Sequence, residues 1–297
     1  MNDVPIIREQ RLQEINNYIF RMPSLSTTVT KALEICNDPN SSPNDLNRVI
    51  SLDPVLTGQV LRIVNSAYYS IPNKITTLTR AIIMLGVNTV KNLVLSTAII
   101  ESMGGKRSFK ALSSRDFWTH SICVGVVAKS LAAIKDIPVA EREEYFVAGL
   151  LHDLGKILLD IRFPGEYAQA LELAKFEQEI LFRAEDSVIG INHNMVGKMI
   201  AEKWHLGEAL IDSLFYHHNP DKAKDENRQF IAIVALANIY ANNFKIGSSG
   251  DHFSEDPVKK YLLEQVGVNW STLSDLRENV LEEIEKARIF LQAIKKG

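Results

Sequence analysis

The chain has 297 residues, 46% of them hydrophobic and 23% charged, with a formal net charge of -3. This balance excludes a disordered chain, which needs low hydrophobicity and a large net charge, and it supplies no overall basic field for nucleic acid or an acidic membrane. Two cysteines, Cys36 and Cys123, sit in apolar helical patterns and read as small buried thiols in a reducing compartment, not as a disulfide.

Residues 1–17 form a charged N-terminal helix or extension without the apolar core of a signal peptide. The next element is a helix from a Ser26 cap to about Asn37, with Val29, Leu33 and Cys36 on one face. Ser42-Pro43 and Asp53-Pro54 are cap-then-first-turn pairs. The second opens a helix carrying Leu56, Val60, Ile63, Val64 and Ala67 at helical spacing. Further helices are expected over roughly 77–85, 88–102, 114–134, 140–160, 193–204, 207–217 and 227–243. A last amphipathic helix is expected from about Ser274, with Leu276, Val280, Ile284, Ala287, Leu291 and Ile294 as its stripe. No apolar run is expected to reach the length of a membrane span, since the stretch Leu93 to Ile100 is short and interrupted by Ser96 and Thr97. No stretch alternates as a strand, so the fold class is all-α. Breaks fall at Asn37–Asn44, Met103–Ser108, Asn219–Glu226 and Gly247–Asp256. They divide a helical domain over 18–245 into lobes of about 18–110 and 111–245, followed by a C-terminal helical extension over 246–297.

The histidines carry the chemistry. His152-Asp153, read on a helix, places an imidazole beside a carboxylate, and a carboxylate can lie between two cations while the imidazole ligates one. His217-His218 can feed the same centre, and His120 and His193 lie in apolar contexts where an unpaired imidazole needs a partner. His205 and His252 read as structural or solvent-exposed. Tyr68-Tyr69 and Trp118 read as core or interlobe packing, and Glu141-Arg142-Glu143-Glu144 as the charged first turn of the helix leading to His152.

The order His120, His152-Asp153, His193, His217-His218 resembles the HD superfamily of metal-dependent phosphohydrolases. The motifs around it are similar to the HDOD branch, helical proteins of bacterial signalling. In the N-terminal half these are Met22-Pro23-Ser24-Leu25, Ser51-Leu52-Asp53-Pro54-Val55-Leu56-Thr57, Asn65-Ser66-Ala67-Tyr68-Tyr69 and Ala81-Ile82-Ile83-Met84-Leu85-Gly86. In the C-terminal half they are Phe117-Trp118-Thr119-His120, Ala148 to Lys156, Asn192-His193, Val196-Gly197, Trp204 and His217-His218-Asn219-Pro220. The resemblance implies a two-lobed helical fold and a centre for one or two divalent ions (iron, manganese, zinc or nickel) held by His120, His152, Asp153, His193, His217 and His218. It also implies that Lys156 contacts substrate phosphate if the centre is catalytic; read from its context alone, Lys156 is a surface or capping lysine.

Two departures redirect the functional expectation. Active relatives end the ligand set with an Asp where Asn238 aligns, and an amide brings no charge and takes no proton. After His218 the chain reads Asn219-Pro220-Asp221-Lys222, without the Gly-Tyr-Pro stretch of the cyclic di-guanylate hydrolases. The expectation is a non-catalytic cytoplasmic signalling module acting through a protein partner, with a nucleotide or other phosphate-containing molecule as a candidate ligand and no membrane or nucleic-acid role. The alternatives are a phosphohydrolase acting on a nucleotide or cyclic dinucleotide, and a metal-occupied sensor.

Overall fold

A computed structural model describes residues 4–38, 40–103, 109–253 and 256–292. Among the described residues every regular element is helical. The N-terminal half holds α1 (Val4–Arg21), α2 (Thr27–Asn37), α3 (Pro43–Ile50), α4 (Pro54–Val64), α5 (Leu78–Leu85) and α6 (Val87–Met103). The histidine-bearing half holds α7 (Ser114–Ile134), α8 (Val139–Leu151), α9 (Leu154–Arg162), α10 (Pro164–Glu177), α11 (Leu181–Val188), α12 (His193–Lys203), α13 (Glu208–Tyr216) and, after a 3-10 turn at Pro220–Lys222, α14 (Asp225–Asn243). Then come α15 (Asp256–Val266), α16 (Trp270–Asp275), α17 (Arg277–Ala287) and α18 (Ile289–Gln292).

The caps are those the sequence suggests. Ser26 Oγ accepts from Val29 N–H, and Asp53 Oδ1 accepts from the N–H groups of Val55 and Leu56. Ser42 and Asp45 close a reciprocal capping box that satisfies two orphan donors at the start of α3.

Three expectations are corrected. The helix expected over 140–160 is two helices: the chain turns at His152 and Asp153, between α8 and α9. The last expected helix is likewise divided, into α16, α17 and α18, and Ile294 lies outside the described residues, as do 104–108 of the expected break after Met103. By length and composition α7 is apolar enough to cross a membrane, although 72% of its most apolar window is buried, which is the pattern of a core helix. The helices α10, α11 and α15 were not expected.

Glycine sets a close helix approach beneath the site. A Cβ on Gly149 would stand 2.6 Å from Gly125 N, so α7 and α8 lie nearly backbone to backbone. That contact holds His120, on α7, close to His152 at the end of α8. The N-terminal half packs on this pair through α6, while α15 packs on α14 and α17 on α7. The C-terminal helices are thus part of the same core. The interlobe contact carries a buried polar group: Glu143 Oε2 lies 2.6 Å from Lys129 Nζ, and its Oε1 accepts from Tyr69 OH at 3.0 Å. Glu143, near the start of α8, is therefore inside the protein, and Tyr68 and Trp118 are buried as packing residues.

Candidate metal centre

Five helix ends and faces converge on Asp153. His120 comes from the middle of α7, His152 follows α8, and Asp153 precedes α9. His193 opens α12, whose Asn192 cap accepts from Met195 N–H at 3.1 Å. His217 and His218 follow α13. The two oxygens of Asp153 face different histidines. Oδ2 lies 3.2 Å from His152 Nε2 and 3.9 Å from His120 Nε2. Oδ1 lies 3.4 Å from His193 Nε2 and 3.6 Å from His217 Nε2. His218 Nε2 stands 3.2 Å from His193 Nε2.

Outer hydrogen bonds aim these rings. His152 Nδ1 lies 2.7 Å from Gly149 O, and His217 Nδ1 lies 3.1 Å from both Ser213 O and Leu214 O. His193 Nδ1 lies 2.6 Å from Glu185 Oε2, which also accepts from the His193 N–H. An Nδ1 that faces an acceptor must carry the proton, so in each of the three rings the Nε2 lone pair points inward. This is how proteins orient metal-ligating histidines.

The inward atoms are otherwise unmet. Both ring nitrogens of His120, Nε2 of His152 and of His217 and Oδ1 of Asp153 are buried without a hydrogen-bond partner, and Asp153 Oδ2 is met only by the Lys156 ammonium at 2.9 Å. One such group costs roughly 1–3 kcal/mol, and buried unmet groups are rare in folded proteins. Several converging on one point fit a cation. The ligand-type atoms of Asp153, His193, His217 and His218 all lie within 4.8 Å of one another, as do those of His120, His152 and Asp153. Such a nitrogen-rich set with one carboxylate suits a divalent transition metal or zinc.

The electrostatics agree. Burial pushes the His120 imidazole down to about 3, with His152 adding to the effect. Burial likewise takes His217 down to about 4 and His218 well below the ordinary histidine range. These rings are neutral at pH 7, the form that ligates. Burial alone would raise the Asp153 carboxyl, but His152 and Lys156 beside it hold it well below the usual carboxylate range.

Two further charged residues join the centre: Lys156, expected only as a phosphate contact of a catalytic centre, and Asp251, which was not expected. Lys156 is fully buried, which overturns the surface or capping reading. Its Nζ lies 2.9 Å from Asp153 Oδ2 and 2.6 Å from Asp251 Oδ2. Burial works against its charge, but the two carboxylates prevail and keep it protonated. Asp251 belongs to the loop after α14 and is anchored by Leu181 N–H at 2.9 Å on its other oxygen. Sequence reasoning placed only a break there, because one Asp in a polar loop has no periodicity to mark it. Glu185 was missed with its helix; the acidic pair Glu185-Asp186 shortly before Asn192-His193 was the available signal. Asn238 sits beside His217 and His218, lining with them a small cavity of about 30 Å³, and its Oδ1 accepts from Asn242 Nδ2 at 3.3 Å. His205 and His252 are exposed and stand apart from the cluster.

Comparison with known proteins places this geometry. The family model for the HDOD domain matches residues 22–220. An uncharacterized protein of Treponema pallidum (strain Nichols) is 25% identical over 223 residues, covering 74% of this chain and 41% of its own length. The chain therefore spans about two fifths of that curated relative. An HDOD domain protein of unknown function from Geobacter sulfurreducens superposes with a TM-score of 0.75 at 24% identity, covering 95% of this chain and 97% of its own. A Marinobacter aquaeolei VT8 protein named for signal transduction superposes at 0.73 with 18% identity, covering 99% of this chain and 66% of its own. Both likenesses are of fold.

Proposed function

The chain belongs to the HDOD family, and from that premise we propose that it is a non-catalytic regulatory module of a cytoplasmic signalling pathway, whose histidine–aspartate centre holds a divalent ion without turning over a substrate. The observation that carries this reading is the closure of the centre. His120, His152, Asp153, Lys156 and His193 have no exposed surface, and His217 is 2% exposed. A phosphoester would have to displace protein to reach Asp153. The ammonium of Lys156, the cation nearest Asp153, is already held between two carboxylates of the chain itself. Asn238, in place of an Asp, supports the same reading. The output is assigned to a protein partner that reads the surface of the module.

The test is a broad panel of phosphomonoesters, phosphodiesters, nucleotides and cyclic dinucleotides, offered to protein loaded with manganese, iron, zinc or nickel. No turnover above a His152→Ala control is expected. Metal-dependent cleavage lost in that control would replace this reading with a phosphohydrolase. The second reading has its own support in the completeness of the cluster: five histidines gather around Asp153, and a bound divalent ion would serve as a Lewis acid toward phosphate. Asn238→Asp separates the two, since activity gained there would name the missing carboxylate as the obstacle.

A further inference from the structure

The cluster offers two cation positions, one on each oxygen of Asp153, and they are not equivalent. On the Oδ1 side stand His193 and His217, and grouped with them is His218, whose Nε2 is 3.2 Å from His193 Nε2 and 3.8 Å from Asp251 Oδ2. That side brings three imidazoles and one carboxylate oxygen, a complete set for a four-coordinate ion. On the Oδ2 side stand only His152 and His120, and Lys156 Nζ is 2.9 Å from the same oxygen. The amide of Asn238 borders the opposite side, next to His217 and His218.

We propose that Lys156 is the resident cation of the Oδ2 side, so that the centre binds one divalent ion, at Asp153 Oδ1, His193, His217 and His218, and not two. A second ion would have to coordinate the oxygen that already bears an ammonium, and like charges sharing one carboxylate oxygen in a water-excluded interior repel strongly. Lys156 cannot easily withdraw. Its Nζ is also tied to Asp251 Oδ2 at 2.6 Å and to Ser249 Oγ at 3.2 Å. The loop bearing these two residues is itself fixed: Asp251 Oδ1 accepts from Leu181 N–H, and Ser248 N–H donates to Asp116 O at 3.0 Å. Close approach adds to this, since a Cβ on Gly247 would lie 2.4 Å from His120 N. The loop therefore buttresses the ammonium from behind and borders the His120 side of the centre. His120 and His152 keep a role as polar neighbours of Asp153 Oδ2, not as ligands.

This inference rests on the metal-holding form of the reading above, and stoichiometry tests it without reference to activity. Protein stripped with a chelator is titrated with zinc and, separately, with manganese, in enough weak chelator to clear exposed histidines such as His205 and His252. Bound metal is counted by elemental analysis, and the manganese form is examined by electron paramagnetic resonance. One ion per chain and an uncoupled manganese signal are expected. His120→Ala should keep that ion within about threefold of the wild-type affinity, whereas His218→Ala should lose at least tenfold. Lys156→Met should admit a second ion if it folds; the two histidine variants decide the matter if it does not. Two ions in the wild type, a spin-coupled manganese pair, or loss of the ion in His120→Ala with retention in His218→Ala would each overturn the assignment. No bound ion at all would instead remove the metal-holding reading on which it stands.

Discussion

Gly155 offers the sharpest test of how the centre is held. A Cβ built there lies 2.0 Å from His193 O, 2.8 Å from Gly197 N and 2.9 Å from His193 C. All three are backbone atoms of α12, so no side chain can swing aside. Carbon needs about 3.5 Å from such atoms, and Gly155→Ala must therefore part α9 and α12 by roughly 1.5 Å. Overpacking of a tight interior costs about 1–3 kcal/mol, and a clash confined to backbone belongs at the upper end, near 3 kcal/mol. At roughly 2–4 °C per kcal/mol for a chain of this size, the melting temperature should fall by about 6–12 °C. Because α12 carries His193, now 3.4 Å from Asp153 Oδ1, zinc affinity should fall at least tenfold alongside, as ligand sites tolerate only about 0.5 Å of displacement. Gly58→Ala is the control. It lies exposed in α4 with nothing within 4 Å of its Cβ position, and it should raise stability by about 0.5–1 kcal/mol through helix propensity alone. Both are read by circular dichroism melts and urea titration. A Gly155→Ala protein melting within a degree of wild type, beside a Gly58→Ala protein that behaves as stated, would refute the packing argument.

Two other perturbations follow from buried charge. His120 and His217 are pushed down by burial to about 3 and about 4, so between those values and the ordinary 6.5 the unfolded chain takes up protons that the folded chain refuses. Stability is then complete above about pH 6.5 and lost as the pH falls, by up to about 1.4 kcal/mol per pH unit for each ring, or roughly 4 kcal/mol for both by pH 5; a urea midpoint unchanged from pH 7 to pH 5 in excess chelator would contradict this. Glu143→Leu should cost about 2–3 kcal/mol, because it leaves the hydroxyls of Tyr68 and Tyr69 without their acceptor and Lys129 without its carboxylate, with only Tyr68 OH to accept from it, and Glu143→Gln should cost less. Equal urea midpoints for the two variants would show that the lost acceptor is not what matters there.

The sequence announced most helices because their apolar positions recur at helical spacing and their caps are conventional. It also announced the residues of the cluster, because the seven histidines are few and the order of five of them around Asp153 resembles a known family pattern. What it could not announce was direction and depth. The run through His152-Asp153 keeps helical periodicity on both sides, so the turn between α8 and α9 left no trace in the pattern. Lys156 is a lysine in every propensity scale, and only the fold reveals that it lies at zero exposure between two carboxylates. Glu143 reads only as part of the charged start of its helix, and its burial left no sign because its partners Lys129 and Tyr69 arrive from elsewhere in the chain.

Asp251 takes this point one step further. The family pattern ends at residue 220, and the carboxylate that engages Lys156 lies 31 residues beyond it, in a loop leading to α15. The centre's net charge and its cation count therefore depend on a segment outside the residues that define the family. Chains sharing His120, His152, Asp153, His193, His217 and His218 in pattern can differ in what that loop supplies. A relative with no acid at the position of Asp251 would leave Lys156 with Asp153 as its one carboxylate and so with a weaker hold on the ammonium. Swapping loops between two such proteins, with metal stoichiometry as the readout, would separate what the shared histidines dictate from what the loop adds.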